Sequence, residues 1–173
     1  MLTDREKTWY SAFKAMGSLL TAWKENAEWL DRRFPTRMFY EAVGKTVTGY
    51  VSKAALDNPK STTHDHFAIP QWIGRFIMDN GDVYLNDFDK FKEIASFAAQ
   101  TIKVTKEENK NLSLQTSEIS KIDGVEVFIQ TSIIDKYNEA GILLWDDKKG
   151  YLTEFPITIP QEILDYEAQF LKG

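Results

Sequence analysis

The stretch STTHDHFAIP, residues 61–70, holds both histidines of the chain, His64 and His66, on either side of Asp65. An imidazole can take or give a proton near neutral pH. A carboxylate beside it can hold a hard cation or orient the ring. In an extended strand alternate side chains share a face, so His64 and His66 could clasp one metal ion. A zinc site needs about three such ligands. The sequence names no third, and H-E-x-x-H is absent. With no cysteine in 173 residues, disulfides, thiolate metal sites and cysteine nucleophiles are excluded. G-x-S-x-G, a P-loop and G-x-G-x-x-G are also missing, which removes support for a serine nucleophile elbow and for nucleotide-dependent chemistry. Carboxylates are plentiful, and spacing alone singles out no glycosidase pair.

One chemistry needs very few residues. Phosphodiester hydrolysis can run on one histidine that activates water and one divalent cation that stabilises charge on the phosphate. The cation needs hard oxygen ligands, and waters and substrate can complete its shell. Asp65 and His66 supply a neighbouring ligand and base. Asn109 could supply a second oxygen ligand from the start of a helix, where the N-terminus also favours a phosphate anion. His64 would be an extra ligand or a phosphate contact. The same residues also suit structural roles: His64 at a strand end, His66 bonded to a backbone carbonyl, Asn109 on a solvated helix.

The elements that must position these residues read as α+β: helix-rich, with a long N-terminal amphipathic helix and a few short antiparallel strands. Trp9, Phe13, Met16, Leu20, Trp23, Ala27 and Leu30 recur at four and three, which predicts a helix over residues 4–33. Thr3 and Glu6 form its capping box, and Pro35 ends it. Residues 36–56 predict a second helix despite Gly44 and Gly49. DNPKST is turn chemistry. TTHDHF reads as a short strand. A helix starts at Pro70 and stops at Asn80-Gly81, and another is capped at Asn86 or Asp87. TIKVT (101–105) is a strand, and Thr105 with Glu108 caps a helix carrying Asn109. A strand or hairpin is expected around Asp123-Gly124. A short helix stopped by Gly141, two strands around a Lys-Gly turn, and a last helix after Pro160 complete the chain.

A strand ending in Asp-His, a proline a few residues on, a second strand, and a helix with Asn in its first turn resemble the HNH or His-Me finger endonucleases, the ββα-metal module. THDHFAIP and TIKVTKEENKNL would be its two halves. VTKEENKNL and YNEAGILL are also similar to small HNH-like proteins of tailed phages. The resemblance implies a metal-dependent endonuclease: His66 activates water, Asp65 and Asn109 hold Mg²⁺ or another divalent cation, and the partner is nucleic acid. The match covers about 50 residues. The interval from His66 to Asn109 is far longer than a short hairpin and must hold two helices, and no Cys-x-x-Cys pair braces the finger. Asn111 and Gln115 only stand in for a third motif residue. One domain over 1–173 is expected, with 1–34 as a helical extension, 61–116 as a split ββα unit and 117–173 as a C-terminal α+β part.

Composition sets the remaining bounds. Apolar residues make up 43% of the chain and aromatics 13%, enough for a sizeable core without staples. The net charge of −5 argues against non-specific nucleic-acid binding but allows a local basic groove. Arg37 and Arg75 are candidate phosphate contacts; Arg32, Arg33 and Arg37 equally complement a helix C-terminus. No run approaches a membrane span and MLTDREKTWY has no signal-peptide character, so a cytoplasmic location, or host cytoplasm for a viral protein, is expected. The apolar stripe of the first helix, which carries three Trp over residues 4–33, suits core packing or a homodimer seam. A second class of function stays open: a small acidic non-enzymatic interaction or inhibitor protein, phage- or host-derived, that binds a protein partner through aromatic surface.

Overall fold

A computed structural model describes residues 2–25, 33–116, 131–146 and 148–171. The chain is α+β with a long N-terminal helix, and it divides into two compact units interleaved in sequence. Residues 1–45 and 68–100 form a helical unit; residues 46–67 and 101–173 form a unit built on a sheet.

The helical unit comprises α1 (Asp4–Glu25), α2 (Arg33–Val43), α4 (Pro70–Asp79), α5 (Gly81–Tyr84) and α6 (Phe88–Ala98). The α1 capping box forms as expected: Glu6 Oε2 accepts from the Thr3 backbone N–H at 2.8 Å, and Thr3 Oγ1 accepts from Glu6 N–H at 3.2 Å. Trp9, Phe13, Met16 and Leu20 are buried, so the predicted stripe packs inside its own unit against α2 and α6. Trp9 Nε1–H donates to the Val43 carbonyl at 3.1 Å, which satisfies a buried indole. The outer end of the predicted first helix, including Ala27 and Leu30, lies outside the described residues. Pro35 does not stop a helix: it sits in the first turn of α2, where its missing N–H costs nothing. At Gly74 an added Cβ would lie 3.1 Å from Thr36 Cα and 3.1 Å from Phe39 Cβ, so this glycine allows α2 and α4 to approach closely. Asp87 caps α6 by accepting from the N–H groups of Asp89 and Lys90.

The sheet unit corrects the second predicted helix. Residues Thr46–Ser52 are strand β1, followed by the short α3 (Lys53–Asp57). TVTGYVS is rich in β-branched and aromatic residues, which favour the pleated surface. Gly44 and Gly49 have φ of 67° and 88°, a left-handed conformation that a continuous helix would not admit. Strands β2 (Thr62–His66), β3 (Gln100–Thr105), β4 (Leu144–Asp146) and β5 (Gly150–Tyr151) complete a sheet of order β2-β3-β1-β4-β5. β2 and β3 are antiparallel, with Thr62 opposite Thr105 and His66 opposite Thr101. Thr101 Oγ1–H donates to the Thr46 carbonyl at 3.0 Å, and Thr48 Oγ1–H donates to the Thr101 carbonyl at 2.8 Å, tying β3 to β1. Helices α7 (Lys106–Thr116), α8 (Lys136–Glu139) and α9 (Gln161–Ala168) belong to the same unit. Its core includes Phe67, Ile102, Val104, Leu112, Tyr137 and Ile163. The hairpin expected at Asp123-Gly124 lies outside the described residues. Among the described residues no helix is long and apolar enough to cross a membrane.

The long interval between His66 and Asn109 has a topological origin. α4, α5 and α6 belong to the helical unit, so the chain leaves the sheet after β2 and returns at β3. β2, β3 and α7 are thus neighbours in space although α4 to α6 separate them in sequence.

Candidate functional site

The second capping box sets where α7 begins. Glu108 Oε2 accepts from the Thr105 N–H at 2.8 Å, and Glu108 N–H donates to Thr105 Oγ1 at 3.1 Å. The same Oε2 accepts from Ser52 Oγ at 2.6 Å, while Ser52 Oγ accepts from Ala55 N–H and caps α3. One carboxylate therefore fixes the ends of β3 and β1 and the starts of two helices. α7 packs against β2 and α8. Asn109 is half-buried in its first turn.

The pleat sends Asp65 to one face of β2 and His64 and His66 to the other. His64 Nδ1 lies 3.5 Å from Thr101 Oγ1, so the ring stands against the β3 hydroxyl that also ties β3 to β1. His66 is half-buried at the last position of the strand. It opposes Thr101, whereas α7 starts beyond Thr105 at the other end of the ladder. Those ends are separated by roughly 13 Å at the usual strand rise.

Asp65 is the most elaborately held member of the set. Its Oδ2 accepts from Lys136 Nζ at 2.8 Å and from the Tyr137 hydroxyl at 2.6 Å. Lys136 Nζ also donates to the His66 carbonyl at 2.5 Å. The lysine side chain is 4% exposed and the aspartate 19%. Burial pushes the Lys136 ammonium below its ordinary pKa, and Asp65 partly restores it. Burial, and then the Asp65 charge, push the Tyr137 phenol well above its ordinary value. Tyr137 is therefore a neutral donor at physiological pH. The ammonium also stands 4.8 Å from the centre of the Tyr137 ring. Both donors meet one oxygen, Oδ2.

Lys136 and Tyr137 are invisible to pattern reasoning. They lie in a four-residue helix, where a lysine reads as solvated, and no local signal marks them as buried. Arg75 and Arg37 lie in the helical unit. Arg75 Nε is 3.5 Å from Asp79 Oδ2 with 15% of its side chain exposed, and its guanidinium stands over Trp72. Arg37 is on the surface, 3.8 Å from Glu41. Among the described residues no group of three or more His, Cys, Asp or Glu side chains is arranged to hold a metal ion.

No family model matches the chain, and no curated protein and no solved structure shows significant similarity to it.

Proposed function

We propose that the β2–β3–α7 unit hydrolyses phosphodiester bonds with the help of a divalent cation. The observation that supports this reading is the arrangement itself. A strand ending in Asp65-His66 pairs antiparallel with a strand that runs through a capping box into a helix packed on the first strand. In this reading His66 activates water, and Asp65 and Asn109 hold the cation. Lys136 and Tyr137 hold the Asp65 carboxylate in place. The test is nicking of supercoiled plasmid in Mg²⁺ or Mn²⁺ by the wild-type chain and by His66→Ala. Cleavage that His66→Ala reduces at least about a hundredfold is expected, the lower range of a general base. No cleavage with either ion, together with no metal uptake by calorimetry, would overturn the reading.

One observation favours a second reading, a non-catalytic binding protein. The Lys136 ammonium already neutralises Asp65, as a structural brace would. Under this reading Asp65→Asn changes stability and leaves no metal-dependent activity to lose.

A further inference from the structure

In the sheet unit, residues 131–135 lead directly into α8 and are held by three carboxylates. Thr131 Oγ1–H donates to Glu139 Oε2 at 2.6 Å, Ser132 Oγ–H donates to Asp135 Oδ2 at 2.6 Å, and the Ile133 N–H donates to Glu167 Oε1 at 2.8 Å. The first two bonds stay within residues 131–139, and their acids are exposed. The third crosses to α9, where Glu167 is 3% exposed. Ile133, and Ile163 one turn earlier on α9, are buried as well. A carboxyl in such a place avoids charge, because a buried ion without water or a cation costs far more than a neutral acid. Burial lifts the Glu167 carboxyl from 4.5 to about 7, the Ile133 N–H opposes the rise, and the Asp135 charge adds to it. Of the other titratable groups on α8 and α9, Lys136 and Tyr137 stand on Asp65, Glu139 on Thr131, and Asp165 on Gln161. Tyr166 turns its ring to Phe170, and Glu162 is exposed in the first turn of α9.

We propose that Glu167 is a proton-operated latch. As the neutral acid it holds residues 131–135 on α9; as the carboxylate it draws water, and these residues and the start of α8 come away together. The Lys136 N–H donates to the Ser132 carbonyl at 3.0 Å, so the start of α8 is built on this segment. Lys136 and Tyr137 are also the residues that hold Asp65. The latch therefore sets how firmly Asp65 is held, and it does so whether or not the site hydrolyses phosphodiesters. Its direction is fixed by the two states of the carboxyl, about 7 when closed and 4.5 when open to water. The closed form is favoured in full below pH 4.5. Opening then becomes easier by up to about tenfold per pH unit and levels off above about 7, a total on the order of 300-fold.

The test is amide exchange of the full chain, followed by NMR from pH 5 to 8 and corrected for the intrinsic acceleration of exchange with pH. Protection of the Ile133 and Lys136 amides is expected to fall at least about tenfold between pH 5 and 7, while the amides of β3 keep theirs. Glu167→Gln leaves the Ile133 N–H an uncharged acceptor and is expected to show no such fall. The Glu167 carboxyl carbon is expected to titrate with a midpoint of about 7, which decides the question in the wild-type chain should the variant fail to fold. Ile133 protection that does not change with pH, an equal fall in Glu167→Gln, an equal fall in β3, or a carboxyl midpoint below about 5, the range of a solvated glutamate, would each overturn the latch.

Discussion

Replacing Asp65 with alanine strips an acidic partner from a buried ammonium. At 2.8 Å the Lys136–Asp65 pair has a gross attraction of about 6 kcal/mol at an effective dielectric of about 20. Desolvation of the two ions, several kcal/mol each, offsets most of this, so the intact pair adds little net stability. Breaking it is another matter. Lys136 is 4% exposed and cannot regain water without opening the core, so Asp65→Ala is expected to cost about 3–5 kcal/mol. For a chain of this length that is a fall in Tm of roughly 6–20 °C. Lys136→Met is expected to cost less, about 1–2 kcal/mol, because Asp65 is 19% exposed and keeps the Tyr137 hydroxyl. The double variant should cost less than the sum by about 2 kcal/mol, the coupling of two contacting groups. The pH dependence has a definite sign. The folded pKa of Lys136 lies below its unfolded value of 10.5, so between the two the unfolded chain binds more protons and stability rises with pH. Without Asp65 the folded value falls further, and the window extends to lower pH. Urea unfolding of the two single variants and the double, at pH 6 to 10, measures all of this. A loss below about 1 kcal/mol at pH 7 for Asp65→Ala, with no steeper gain in stability toward high pH than the wild type shows, would refute the view that Asp65 holds a buried charge.

Three further expectations follow from the same geometry. Glu167 is 3% exposed, and burial lifts its carboxyl from 4.5 to about 7 although Ile133 N–H donates to it at 2.8 Å. Its contribution is full below pH 4.5 and is lost as pH rises through about 7, so Glu167→Gln should remove a loss on the order of 2 kcal/mol, measured as Tm against pH. Glu108→Ala should cost about 1–2 kcal/mol and speed amide exchange in the first turn of α7, because Thr105 N–H and Ser52 lose their acceptor. Gly74→Ala should cost about 1–3 kcal/mol in urea unfolding, since the new methyl would crowd Thr36 backbone atoms and the Phe39 Cβ at 3.1–3.3 Å.

Much of the local structure was legible. The capping boxes at Thr3 and Thr105 and the Asp87 cap work through contacts two or three residues apart, so the sequence carries both partners. The strands at His66 and Thr101 and the helices after Pro70 and Pro160 are likewise local matters of propensity and punctuation. The misreading of residues 46–52 shows the limit. Their β-branched content suits a strand, but the pairing with β4 that secures it lies about a hundred residues away. Pro35 misled for a related reason: a proline serves the first turn of a helix as readily as it follows one, and only the preceding chain decides which.

The candidate site divides along the same line. That His64, Asp65 and His66 share a strand, with Asp65 on the opposite face, follows from the pleat and needs no tertiary information. That β2 finds β3 across the helices of another unit is decided by the sheet, where each strand's backbone groups must pair. The partner of Asp65 is decided there too. Lys136, 71 residues away, looks like any surface lysine until packing removes water from its ammonium. From then on it must sit against a carboxylate, because a charge buried without a partner is the arrangement that folding can least tolerate.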